Sequence, residues 1–202
     1  MIIDPSDLEE QSLYKLLIGS VVPRPIAWTS TMSREGTLNL APFSFFTVAS
    51  RNPPMLCISV GPRPEGDPPK DTLGNIEETG EFVINIVSLS LSNKMHESSK
   101  NHPPEADEFE KAGLTPAPCE VVQVPRVGEA GVSMECVLDR VLPFGTDHLV
   151  IGHMVRFYVQ DELYQKNGRI DVAGLDPLGR LAGNYTRIET IFELPTDDLR
   201  SE

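Results

Sequence analysis

Strand signals in this chain cluster instead of alternating with helix signals, and that order constrains the fold more than any other feature. Residues 26–33, rich in β-formers, lead through the polar turn Ser33-Arg34-Glu35-Gly36 into a returning run at 37–41. An aromatic segment at 42–48 and a strand at 55–60 follow. Residues 81–87 form another strong run, with Asn85 nearly alone as a polar member. Two longer β-segments, 132–142 and 148–159, meet at Phe144-Gly145-Thr146-Asp147 and read as a hairpin. Short helices are predicted over 8–18, after Asp71 or Thr72 up to Gly80, over 88–99, and over 107–112 before Gly113. A Rossmann-type parallel sheet needs repeated βαβ units, which this order does not supply. The expectation is a mainly β, Greek-key-like barrel with flanking helices, as a single domain over residues 1–202.

A chain of 202 residues, 40% hydrophobic, buries a core without staples. Its three cysteines, Cys57, Cys119 and Cys136, form no C-x-x-C pair and are expected to be reduced thiols. The N-terminal stretch lacks a basic region followed by an apolar run. No apolar stretch approaches the roughly 20 residues that span a bilayer. The expectation is a soluble, cytoplasmic protein with no membrane association. A net charge of −13 disfavours nucleic acid as a partner, and an anionic ligand would need basic residues of its own nearby.

Several chemistries are excluded. There is no G-x-S-x-G elbow, no Walker loop and no G-x-G-x-x-G. His96-Glu97 begins an H-E-x-x-H string, but Lys100 stands at the second histidine position. His148 and His153 are five apart in a predicted strand, which places them on opposite faces, so no metal site is expected.

Three segments suit an anionic, planar ligand. In Pro23-Arg24-Pro25 two prolines restrain Arg24, whose planar fork suits a phosphate or a carbonyl-rich ring, or alternatively a surface ion pair. The hydroxyl run Thr29-Ser30-Thr31 after it alternates faces, one of which can donate to a ligand. In Asn39-Leu40-Ala41-Pro42-Phe43-Ser44, Pro42 interrupts strand pairing, and freed backbone groups beside aromatic rings suit a flat heteroaromatic ligand; core packing is the competing role for Phe43 and Phe46. Lys70-Asp71-Thr72 places a cation and a hydroxyl at a helix start, a ready anion site, with a simple helix cap as the alternative for Asp71.

Taken together, PRPIAW at 23–28, NLAPFSFF at 39–46, Pro53-Pro54, KDTLGNI at 70–76, EFVINIV at 81–87 and DEFEKAGLTPAP at 107–118 resemble the flavin reductase-like, FMN-binding split-barrel family. That family includes flavoredoxin-like proteins and reductase components of two-component monooxygenases. The resemblance covers nearly the whole chain. It implies a six-stranded split barrel and a homodimer with FMN near the dimer interface. By position it implies ring contacts at Thr29, Asn39, Ala41, Pro42 and Ser44, and phosphate contacts around Ser30, Lys70, Asp71 and Thr72. Arg24 and Lys70 meet the need for local positive charge. Thr146-Asp147-His148 is similar to a Gly-Asp-His triplet linked in some of these reductases to nicotinamide binding, with threonine here replacing glycine. The implied activity is NAD(P)H-dependent flavin reduction or flavin-mediated electron transfer, with NADH or NADPH as co-substrate and an oxygenase as a candidate partner. The alternative is a non-catalytic flavin-binding or redox-sensing module. The residues leave open FMN against FAD, the nicotinamide preference and the electron acceptor.

Overall fold

The computed structural model describes residues 1–63 and 69–192. After helix α1 (Glu10–Ser20) the chain runs through β1 (Ala27–Met32), β2 (Leu38–Phe43), β3 (Phe46–Arg51) and β4 (Pro54–Val60). Helix α2 (Asp71–Thr79), strand β5 (Glu81–Ile86), and helices α3 (Ser92–Glu97) and α4 (Glu108–Ala112) follow. Two short strands, β6 (Pro116–Ala117) and β7 (Arg126–Val127), precede the long hairpin β8 (Val132–Phe144) and β9 (Asp147–Val159). Helix α5 (Val172–Leu175) and the ribbon β10 (Gly179–Arg180) and β11 (Tyr185–Thr186) close the order. No helix among the described residues is long and apolar enough to cross a membrane.

Seven strands form one antiparallel sheet in the order β2-β1-β5-β8-β9-β4-β3. Its two edge strands, β2 and β3, are consecutive in the chain, separated only by Ser44 and Phe45. A two-residue step cannot cross a flat seven-stranded sheet, whose strands lie about 4.8 Å apart. The sheet must therefore curl until its edges meet, and the step at Ser44-Phe45 closes a split barrel. The bond from Ser59 N–H to Phe45 C=O, 2.8 Å, holds that corner. The count of seven where the resemblance implies six comes from this break, which divides residues 38–51 between the two edges.

Register sorts the side chains. Thr29 pairs with Ala41 and Ile84, so Ala27, Thr29, Ala41, Phe43 and Ile84 share the inner face. There Phe43, Ile58, Phe82, Ile84 and Val150 form a core that Leu73 and Ile76 of α2 cover. On the outer face Trp28 and Leu40 meet Val87, Met95 and Phe109, so α3 and α4 are held against β1 and β2. Each such fully buried side chain is worth roughly 1.5–3 kcal/mol.

The local signals hold in outline. Gly80 and Gly113, at φ 74° and 63°, end α2 and α4 in the left-handed conformation that glycine tolerates best. Three details differ. The first helix starts two residues later than predicted, and none of its residues is buried. The predicted 88–99 helix splits into a 3-10 turn at Leu89–Leu91 and the short α3. Neither Asp71 nor Thr72 caps α2: Lys70 is the N-cap, without a side-chain bond, because the Asp71 carboxylate is drawn 2.6 Å to Arg63.

Candidate functional site

The site is built on the free edge of β2. Along this strand Asn39, Ala41 and Phe43 alternate with Leu40 and Pro42. Leu40 N–H points away from β1 and donates to the Glu108 carboxylate. Two residues on, Pro42 occupies the same outward position, where the β1–β2 ladder requires no N–H. Proline here does not free its neighbours' backbone, as the sequence reading expected. It stays inside the strand, paired with Trp28, and blunts the edge so that an apolar ring faces the groove.

That groove has two parts, of about 100 and 220 Å³, which share Pro42 and Ser99. The smaller part joins Asn39, Ala41 and Pro42 to Lys70, Asp71 and Thr72 at the start of α2. Lys70 extends its ammonium over the Phe43 ring, 5.5 Å from the centroid. Burial lowers the Lys70 pKa, with Asp147 opposing that shift. Among the described residues no carboxylate lies within ion-pairing distance of Lys70. A half-buried cation at a helix start with no side-chain cap suits an anionic group.

The opposite wall is the 98–102 loop, which no motif flagged. Trp28 Nε1 donates to Ser98 Oγ (2.9 Å), and Ser98 in turn donates to Met95 C=O. The bond fixes Ser99, Lys100 and His102 beside Lys70. Glu108, the first residue of α4, completes this part of the groove. Asp107 caps α4 by accepting from Phe109 and Glu110 N–H, which leaves Glu108 to reach β2. Burial pushes the Glu108 carboxyl up to about 7, with Asp71 and Asp107 adding to the rise and the Leu40 N–H and Arg63 opposing it. The sequence signal for Glu108 was present only in its resemblance motif, since a carboxylate after a helix cap is ordinarily solvated.

In the larger part, Ser44, Tyr14 and Arg180 surround the outer face of Pro42. Arg180 stacks on Tyr185, 4.5 Å from the ring centroid. Arg24 also lines this part but is already committed. It donates to the carbonyls of Ile18, Val21 and Leu181 at 2.7–2.8 Å and to Ser44 Oγ at 3.3 Å. The predicted anion ligand is in this structure a buried tie between the end of α1, β2 and the β10–β11 ribbon.

Of the residues singled out from sequence, Asn39, Ala41, Pro42, Lys70, Asp71 and Thr72 converge on the smaller part, and Arg24, Pro42 and Ser44 on the larger. Thr29 and Ser30 line neither. Both are fully buried: Thr29 Oγ1 donates to Ala27 C=O, and Ser30 Oγ to Pro125 C=O. His148 stands at the start of β9, beside the Asp147 whose charge acts on Lys70.

Comparisons with known proteins agree with this architecture. The structure superposes on nitrilotriacetate monooxygenase component B from Bacillus cereus with a TM-score of 0.91 and 43% identity, covering 96% of this chain and 98% of that one. It superposes on the 2-nitrobenzoate 2-nitroreductase of Pseudomonas fluorescens with a TM-score of 0.90 and 32% identity, over 100% and 99% of the two chains. An uncharacterized protein of Aquifex aeolicus is 44% identical over 89% of this chain and 91% of its own. The sequence model of the flavin reductase like domain matches residues 18–188. Running from the end of α1 through the last strand, that match makes this chain a member of the flavin reductase-like family of flavin-binding oxidoreductases.

Proposed function

We propose that this protein binds FMN along the β2 edge and acts as an NAD(P)H-dependent flavin reductase or flavin-mediated electron carrier. The observation that carries the reading is the meeting of the Lys70 ammonium and Thr72 at the start of α2 with the blunted edge at Pro42. Lys70 and Thr72 hold the phosphate, with Asp71 kept off it by Arg63. Asn39, Ala41, Pro42 and Ser44 line the ring, and Arg24 positions Ser44. Bound flavin would supply the redox chemistry, with NADH or NADPH as reductant. The chain itself orients the ring, excludes water on one side through Pro42 and Phe43, and offers hydrogen bonds. His148 is the nicotinamide contact in this reading, on the similarity of Thr146-Asp147-His148 to the Gly-Asp-His triplet.

A homodimer belongs to the same proposal. Phe45, Val48, Leu142 and Phe144 stand exposed on the barrel, and α1 buries none of its residues, surfaces that a second copy would cover. The similarity to a monooxygenase component B supports an oxygenase as the electron acceptor. The free thiols suit a reducing, cytoplasmic setting.

The test is anaerobic mixing of the FMN-loaded protein with NADH and, separately, NADPH, followed at the oxidised-flavin band near about 450 nm. Bleaching with either nucleotide supports the reductase. Bound FMN that neither nucleotide bleaches leaves the non-catalytic module. Lys70→Ala combined with Thr72→Ala should weaken FMN binding by about tenfold or more, since charge-assisted bonds are worth roughly 1.5–3 kcal/mol each. Unchanged affinity removes these residues from the site.

A further inference from the structure

We propose that the larger part of the groove is a binding site for a small planar carboxylate, whose anionic head is held by Arg180 and Ser44 against an apolar wall. The proposal rests on the flavin reading only for what lies next to the site, since the cavity takes its character from this chain's own residues. To that reading it adds a class of second substrate, which enters beside the ring on the far side of Pro42 from Lys70.

One row of side chains gives the cavity its charge. Arg24 and Arg180 are joined by two backbone bonds, from Arg24 N–H to Arg180 C=O at 2.9 Å and from Arg180 N–H to Arg24 C=O at 2.8 Å. Tyr185 pairs with Arg180 across β10 and β11. Residues directly opposite in an antiparallel pair present their side chains to the same face, and all three line this cavity. Like charges directly opposite one another repel. Arg24 is 6% exposed, and among the described residues its side chain donates to three carbonyls and a hydroxyl, which hold it without cancelling its charge. The chain carries a net charge of −13, yet the described residues that line this cavity include no acid. Two guanidinium groups in one polar hollow are balanced by an anionic ligand.

The donors and the walls set the kind of anion. Arg180 Nη1 donates to Gly183 C=O at 3.3 Å, and the guanidinium carbon lies 4.5 Å from the centroid of the Tyr185 ring. These two contacts orient the group and leave its Nε–Nη2 edge, whose parallel N–H donors match the two oxygens of a carboxylate. Ser44 Oγ accepts from Arg24 Nε, so the Ser44 proton can be given to a second acceptor. The Ser99 hydroxyl is instead committed to His96 C=O at 2.7 Å. Ile26, Pro42 and Met95 form the apolar wall, which suits a flat body. At about 220 Å³ the cavity falls below the roughly 300 Å³ at which sites for drug-sized ligands begin, so that body is a single ring or a short unsaturated chain.

The experiment titrates benzoate and its neutral counterpart benzamide calorimetrically into the full chain, with FMN bound and without flavin. Benzoate should bind both forms, and benzamide should bind more weakly by about tenfold or more, because the charge-assisted bonds are lost. Arg180→Gln should abolish that preference. Arg180→Lys, which keeps the charge without the planar fork, should retain part of it. A second readout needs no variant: in a crystal soaked with 4-bromobenzoate the anomalous bromine peak should lie in this cavity, with the carboxylate on Arg180. Equal affinity for benzoate and benzamide, a preference that survives in Arg180→Gln, or bromine found elsewhere overturns the site while FMN binding stands. Benzoate that FMN or riboflavin expels also overturns it, since the ring would then fill the cavity. Inorganic phosphate that displaces benzoate at equal concentration overturns the assignment of a carboxylate. Failure of FMN to bind, with benzoate still preferred to benzamide through Arg180, refutes the flavin reading and supports the site.

Discussion

Replacing Glu108 by glutamine should change how the stability of this protein depends on pH, by an amount the structure supplies. Glu108 is 8% exposed, and burial pushes its carboxyl up to about 7, against an ordinary value of 4.5. In the unfolded chain it ionises near 4.5. Between these values the native state binds the extra proton, so wild-type stability falls as pH rises and the loss is complete above about 7. At 1.36 kcal/mol per pH unit the span from 4.5 to about 7 amounts to about 3 kcal/mol. Glutamine has the same shape and does not titrate. The assay is urea unfolding of both proteins at pH 5 and pH 8.5, with the difference in unfolding free energy taken at each. That difference should move by about 2–3 kcal/mol in favour of the glutamine variant at the higher pH. Comparing the two proteins cancels the contribution of the other acidic groups. A difference that does not change with pH, or that moves the other way, would show that Glu108 is ionised across this range and refute the reasoning.

Two further substitutions probe the scaffold. Gly152→Ala would place a Cβ 2.3 Å from Phe82 Cζ and 3.2 Å from Cys136 Cβ, inside the inner core, so thermal unfolding should show a loss of about 1–3 kcal/mol. Gly131→Ala meets Leu163 Cδ1 at 2.5 Å, the movable end of a side chain, and should lose less; equal losses would contradict the distinction. Glu135, buried in β8, accepts from the backbone N–H groups of Glu120, Val121 and Val122. Glu135→Ala should destabilise by about 3 kcal/mol or more. Hydrogen exchange should accelerate at those three amides, and protection that persists there would refute the role.

What sequence alone determined was local. The glycine stops at Gly80 and Gly113, the hairpin at Gly145-Thr146, and the clustering of strands each follow from conformational preferences over a few residues, and each is present. The resemblance motifs also brought together Asn39, Pro42, Lys70 and Thr72, because they lie on a strand and a helix start that the sheet packs side by side. The tertiary structure decided everything that depends on partners far along the chain. Arg24 reads as an anion ligand until Leu181, 157 residues away, supplies a carbonyl to it. Asp71 reads as a helix cap until Arg63 takes its carboxylate. Glu108 has no reading of its own in the sequence beyond its place in the 107–118 motif, until the Leu40 edge of β2, 68 residues earlier, holds it in the groove. The physical reason is common to all three. The strength and role of a polar group are set by burial and by the donors and acceptors that face it, and those neighbours are chosen by the closure of the barrel instead of by the order of residues along the chain.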